Sequence, residues 1–160
     1  MNIRSATPDD VPEILAHIRE LADYERALDE VEATEGSLHS TLFAKEPKVF
    51  CEILEDGEEV AGIAIWFLNY STWQGKHGIY LEDLHVRPKF RGRGYGKALL
   101  VHLAKKCVDN GWGRFQWNVL DWNQPSIDFY ISQGAFALDE WTGFRVTGDA
   151  LVKLAAGGTA

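Results

Sequence analysis

Arg87-Pro88-Lys89-Phe90-Arg91-Gly92-Arg93-Gly94-Tyr95-Gly96-Lys97 is the stretch that decides how this chain is read. Three alternating glycines and five basic residues meet between an apolar run that ends at Val86 and an amphipathic run that begins near Gly94. Glycine has no Cβ, so backbone N–H groups there can approach an anion closely. The first turn of a helix adds unpaired amides and the positive end of the helix dipole. A strand, a basic glycine loop and a helix start together make a binding site for a pyrophosphate. Two better-known nucleotide loops fit less well. The glycines read GxGxG rather than GxGxxG, and no acidic residue stands about twenty positions on at the end of the next strand. Gly96-Lys97 is followed by Ala98, which lacks the hydroxyl that a magnesium-binding phosphate loop needs, and position 91 is not glycine.

Upstream of this loop, residues 2–6 form a short strand candidate. Thr7-Pro8-Asp9-Asp10 then combines a hydroxyl cap, an early proline and two acids, which marks a helix start. Val11, Ile14, Leu15, Ile18, Leu21 and Ala22 recur at helical spacing, so the helix runs to Tyr24. A second helix is predicted over 34–44. Residues 49–55 and 60–70 are rich in apolar and β-branched residues around the turn Asp56-Gly57-Glu58-Glu59, the signature of an antiparallel hairpin. A strand follows over 78–86. Downstream, Leu99, Leu103, Ala104 and Cys107 define one face of a helix over 94–110, stopped by Gly111. A strand over 115–120, a short helix over 125–133 closed by Gly134, and strands over 135–138 and 144–154 complete the pattern. The order β, α, α, β, β, β, α, β, α, β, β predicts an α/β (α+β) domain, 1–160, with a mixed and mostly antiparallel central sheet flanked by helices.

Composition narrows the partners. The 160 residues are 46% apolar and 25% charged, an ordinary globular balance that suits one core. The net charge of −8 opposes a nucleic-acid surface and favours cationic ligands. No apolar run is long enough to span a membrane and the N-terminus has no signal-peptide layout, so a cytoplasmic protein is expected, with no membrane partner. Cys51 and Cys107 stand apart and read as small buried hydrophobes. The histidines at 17, 39, 77, 85 and 102 form no ligand motif in sequence, so no metal is expected.

Four motifs in order carry a resemblance: Leu81-Glu82-Asp83-Leu84-His85-Val86, Arg91-x-x-Gly94-x-Gly96, Asn123-Gln124-Pro125-Ser126-Ile127-Asp128-Phe129-Tyr130, and Gly134-Ala135. With Glu20-Leu21-Ala22-Asp23-Tyr24-Glu25, Trp73-Gln74-Gly75-Lys76 and Gly143-Phe144-Arg145, they make the chain similar, over nearly its whole length, to the GNAT acetyltransferases. It resembles in particular the diamine (spermidine/spermine) and thialysine N-acetyltransferase group. The resemblance implies acetyl-CoA as co-substrate. Arg91, Gly92, Arg93, Gly94, Tyr95, Gly96 and Lys97 would hold its pyrophosphate, the backbone of Leu84, His85 and Val86 would pair with its pantetheine arm, and Asn123 and Ser126 would touch it. It also implies a general acid at Tyr130, an amine site lined by Tyr24, Glu25 and Trp73 and bordered by residues 116–118, and a homodimer.

Amide formation needs a neutral amine, yet an alkylammonium has a pKa of about 10.4. A base must therefore take a proton. Glu82, acting through a water and also attracting the substrate cation, is one candidate. His85, with an ordinary pKa of about 6.5, is its rival. Asp83, the immediate neighbour, is expected by strand alternation to face the other way. Phe144 stands where enzymes preferring long polyamines carry a tryptophan, and Asp139-Glu140-Trp141-Thr142 has no clear match. The acceptor class therefore remains open between a polyamine or short diamine, a thialysine-like amino acid and a protein amine, with a non-catalytic acyl-CoA-binding module as the contrasting reading.

Overall fold

A computed structural model describes residues 1–158 and divides the chain into two compact units, Met1–Asn118 and Val119–Ala160. In the first unit, five strands form one sheet in chain order: β1 (Asn2–Ser5), β2 (Phe50–Asp56), β3 (Glu59–Ser71), β4 (Lys76–Val86) and β5 (Phe115–Trp117). All neighbours are antiparallel except β4 and β5, which are parallel. That arrangement is the predicted mixed, mostly antiparallel sheet. Gly57 takes φ +65 in the two-residue turn between β2 and β3, a conformation that costs glycine nothing.

Helix α1 (Val11–Tyr24) follows a 3-10 turn at Pro8–Asp10, where Asp10 accepts hydrogen bonds from the Thr7 amide and hydroxyl at 2.7 and 2.9 Å. The Asp10 carboxylate also receives Arg4 bidentately at 2.7 and 2.8 Å, which holds its pKa down at about 2. Helix α2 (Glu35–Leu42) is capped by Thr34, whose hydroxyl accepts from the Ser37 amide at 3.1 Å. On this side of the sheet Ile14, Leu42, Cys51, Ile53, Ile63 and Ile65 form the core. The opposite side is covered by α3 (Tyr95–Asp109) through Leu99 and Leu103, both fully buried. Deleting such a side chain to alanine costs about 2–5 kcal/mol, so these apolar stripes account for much of why the unit folds.

Two irregularities of β4 matter for function. Asp83 pairs with Ile65 and Leu81 with Trp66, so Glu82 is an extra residue in a β-bulge. On the other side β5 pairs only with Ile79, Tyr80 and Leu81. From Glu82 to Val86, β4 therefore has β3 along one edge and, among the described residues, no strand along the other.

The second unit holds α4 (Gln124–Ser132) and α5 (Gly148–Ala155). This corrects two predicted strands. Residues 135–147 contain no strand, and the stretch read as a strand over 144–154 ends in α5 instead. Ala150, Leu151, Lys153, Leu154 and Ala155 are good helix formers, with Asp149 in the first turn and Lys153 in the last complementing the helix dipole. The run Ala135-Phe136-Ala137-Leu138 is too short to decide its own state, and no neighbour pairs with it among the described residues.

Candidate active site

The glycine loop sits where its sequence put it, between β4 and α3. Gly92 and Gly94 take φ +75 and +80, and Gly94 is the N-cap of α3. A Cβ at either glycine would meet nothing within 4 Å, so what demands glycine is the left-handed backbone and not crowding. The cap offers no side-chain acceptor. The first intrahelical bond runs from the Ala98 amide to the Gly94 carbonyl at 2.9 Å, which leaves the amides of Tyr95, Gly96 and Lys97 without helical partners.

The five cations of the loop divide into two groups. Arg87 binds Glu20 and Glu13, Lys89 pairs with Glu59, and Arg93 pairs with Asp56 at 3.1 Å. Among the described residues no carboxylate lies within ion-pair distance of Arg91 or Lys97. Arg91 instead donates through Nε to the Val86 carbonyl at 3.0 Å and lays its guanidinium over the Tyr24 ring, 5.3 Å from the centroid. The loop thus keeps two exposed positive charges available beside a row of free amides, the combination that a doubly charged diphosphate needs.

Along β4 the side chains sort by face. Asp83 and His85 are in register with Ile65 and Ile63 and so look toward α1, whereas Leu84, opposite Ala64, faces α3. The bulge at Glu82 breaks the strict alternation on which Asp83 was set apart. Asp83 is mostly buried, and burial, followed by the charges of Glu82 and Glu25, pushes its carboxyl up to about 6. Burial also raises Glu25. Sequence reasoning passed over Asp83 because no sequence signal marks the bulge. Glu82 itself is exposed.

His85 is buried, and its Nδ1 lies 2.8 Å from Nδ1 of His17, which is fully buried on α1. Burial holds both imidazoles down at about 4, helped at His17 by Arg87 and at His85 first by His17 and then by Arg91 and Arg87. Arg87 ties the same helix to the loop through Glu20 at 3.1 Å and Glu13 at 2.9 Å. The structure therefore brings Tyr24, Glu25, Glu82, Asp83, Leu84 to Val86 and Arg91 to Lys97 together at the open side of β4. It does not bring Trp73 there. That side chain is 90% exposed in the turn between β3 and β4, and the six strand steps from Lys76 to Glu82 alone span about 20 Å.

A cavity of 380 Å³ lies apart from this cluster, lined among others by Phe50, Glu52, Trp66, Lys106 and Trp112. Its carboxylate is already satisfied. Glu52 receives Trp66 Nε1 at 3.2 Å and Lys106 at 3.1 Å, and His102 Nε2 lies 3.3 Å away without a hydrogen bond.

In the second unit Asn123 is buried and caps α4, its side chain accepting from the Ser126 amide at 3.4 Å. Tyr130 is half-buried, with its ring 5.4 Å from that of Phe129. Among the described residues no helix is long and apolar enough to cross a membrane.

Residues 12–135 match the model of the acetyltransferase (GNAT) family. The chain is 37% identical to the thialysine N-epsilon-acetyltransferase of Sus scrofa over 96% of both chains. It is 35% identical to the L-ornithine N5-acetyltransferase of Arabidopsis thaliana, over 93% of this chain and 85% of that one. Among solved structures, an integron cassette protein of V. cholerae aligns with a TM-score of 0.81 at 25% identity over 96% of each chain. The loop, the mixed sheet and these similarities agree: the chain belongs to the GNAT family and is an acyltransferase acting on amines.

Proposed function

We propose that the protein transfers acetyl from acetyl-CoA to the primary amine of a small cationic molecule, the whole chain 1–160 working as one catalytic domain in the cytoplasm. The observation that carries this reading is the meeting of a strand edge that no strand among the described residues covers, Glu82 to Val86, with the Gly94-capped helix start and the cations Arg91 and Lys97, neither of which is held by a carboxylate among those residues. When bound, the coenzyme supplies the activated thioester. The amides of Tyr95 to Lys97 and the Arg91 and Lys97 charges hold its diphosphate, Gly92 and Arg93 shape that loop, and the backbone of Leu84 to Val86 lines its arm as an added strand would. Asn123 and Ser126 contribute from α4.

The amine is drawn by the carboxylates of Glu82, Asp83 and Glu25, beside the ring of Tyr24. Glu82 takes the ammonium proton through a water, and Tyr130 returns a proton to the leaving thiolate. His85 does not fit the base role, because its ring is committed to His17 and is too weakly basic. A second reading gives the base role to Asp83, whose raised pKa favours it. The pH profile separates the two. If Asp83 is the base, Asp83→Asn removes an acid limb near pH 6 and Glu82→Gln leaves that limb in place. If Glu82 is the base, Glu82→Gln lowers kcat by about 100-fold, within the span of general base catalysis.

Relatives named for thialysine, ornithine and spermidine/spermine acetylation support a short diamine, polyamine or amino-acid acceptor. Thiol release from acetyl-CoA, followed with polyamines, thialysine, ornithine, lysine and a lysine peptide, tests the proposal. Acceleration by the small amines supports it, and acceleration by the peptide alone moves the acceptor to proteins. Coenzyme binding without release by any amine leaves only the binding-module reading. We further propose a homodimer, in which Trp73 can reach an acceptor site only if a second copy brings it there. Light scattering that finds a monomer would remove Trp73 from the site.

A further inference from the structure

We propose that His17, His85 and Glu20 form a site for a divalent transition-metal ion of the zinc class, bound at the junction of α1 and β4. The site rests on no part of the acetyl-transfer reading. His17 and Glu20 stand three residues apart on one face of α1, and the fold brings His85 to them across 68 positions. One donor atom from each residue lies within 4.8 Å of the other two. The two Nδ1 atoms are 2.8 Å apart, and a Glu20 oxygen is 4.0 Å from that of His85.

The geometry is close to what an ion requires. Two imidazole nitrogens on a tetrahedral zinc, each at about 2.0–2.1 Å, lie about 3.3 Å from one another, so the rings must part by about 0.5 Å. The rings are neutral, as ligands must be. One Nδ1–H now donates to the other ring, and ion entry needs that proton to move to Nε2 of its own ring, with no net proton lost. His17 Nε2 is buried without a hydrogen bond of acceptable geometry, although the Val60 carbonyl acts on the ring. A ligating imidazole whose second nitrogen faces a backbone carbonyl is the usual outer arrangement of a metal site.

Glu20 is 39% exposed and gives both an entry path and room for a solvent ligand in the remaining position. Arg87 binds both Glu20 oxygens at 3.1 and 3.2 Å and is balanced by Glu13. It would orient the ligating carboxylate while moderating its charge. Two nitrogens and one carboxylate select zinc, cobalt, nickel or copper over magnesium or calcium.

The test uses the full chain without a histidine tag, stripped with chelator. Cobalt titration followed by visible absorption, and zinc titration by calorimetry, should each give one equivalent per chain, with a four-coordinate cobalt spectrum that zinc abolishes. Glu20→Gln and His17→Gln should each weaken binding at least tenfold. Changing the exposed His39 and His77 to glutamine should leave it unchanged. If His17→Gln does not fold, the partly exposed Glu20→Gln decides alone. Substoichiometric binding, an octahedral cobalt spectrum, unchanged affinity in Glu20→Gln, or loss of binding in the His39/His77 variant would overturn the site.

Discussion

Acidification should loosen the fold through the two buried imidazoles, and the size of the effect follows from their positions. His17 and His85 are held at about 4 in the folded protein, against about 6.5 in an unfolded chain. A folded-state pKa depressed in this way means that the unfolded chain binds more protons at acid pH. Stability is therefore complete above 6.5 and is lost as pH falls from 6.5 toward 4. Going from pH 8 to pH 5 costs about 2 kcal/mol per ring, or about 4 kcal/mol if the two act independently. Asp83 opposes this. Its carboxyl, raised to about 6, charges unfavourably as pH rises, so its protonation regains about 1 kcal/mol over the same interval. The net loss is then about 3 kcal/mol, a large fraction of the stability of a domain. Urea denaturation of chelator-treated protein at the two pH values measures it directly. In Asp83→Asn the loss should grow toward 4 kcal/mol. In His17→Gln, which keeps a polar partner for His85, it should shrink by about 2 kcal/mol. Equal losses in wild type and His17→Gln, or a wild-type protein no weaker at pH 5, would refute the assignment of neutral buried rings.

Three further outcomes are expected. Gly94→Ala forces a Cβ into φ +80 at the cap of α3, and it should cost about 1 kcal/mol of stability while raising the KM for acetyl-CoA more than that for the amine; an equal rise in both would detach this glycine from the coenzyme. Gly62→Ala would place its Cβ 2.8 Å from the His85 carbonyl and should displace β4 at its open edge, so coenzyme affinity, read by calorimetry, should fall with little change in the circular dichroism spectrum. Lys106→Ala strips the lysine from Glu52, which is 2% exposed, and thermal or urea melting should report a loss of about 2 kcal/mol, since the Trp66 hydrogen bond remains.

The first unit was legible in the sequence because each of its elements carries a long, one-period pattern. The α1 stripe from Val11 to Ala22, the hairpin around Gly57 and the α3 face from Leu99 to Cys107 all formed within a few residues of their predicted bounds. The glycine loop was legible because its conformation is local. The second unit was not. The two stretches read as strands, 135–138 and 144–154, are either short or broken by polar residues and sparse in β-branched side chains, so helix and strand compete there and the context decides. The bulge at Glu82 escaped notice because it depends on register with β3, and with it the role of Asp83. The His17–His85 contact joins residues far apart in sequence, and no spacing rule announces it. Trp73 was assigned by resemblance alone, and the hairpin carries it away from the cluster.

The half-paired state of β4 has a consequence for the protein between turnovers. Apart from the Val86 carbonyl, which Arg91 holds, no strand among the described residues covers the outer edge from Glu82 to Val86, and an extended peptide, including the same segment of another molecule, can zip onto it. The cellular pool of coenzyme would then act as a chaperone for its own enzyme, sheltering the slot, and dialysis into coenzyme-free buffer should be the condition under which the protein clumps.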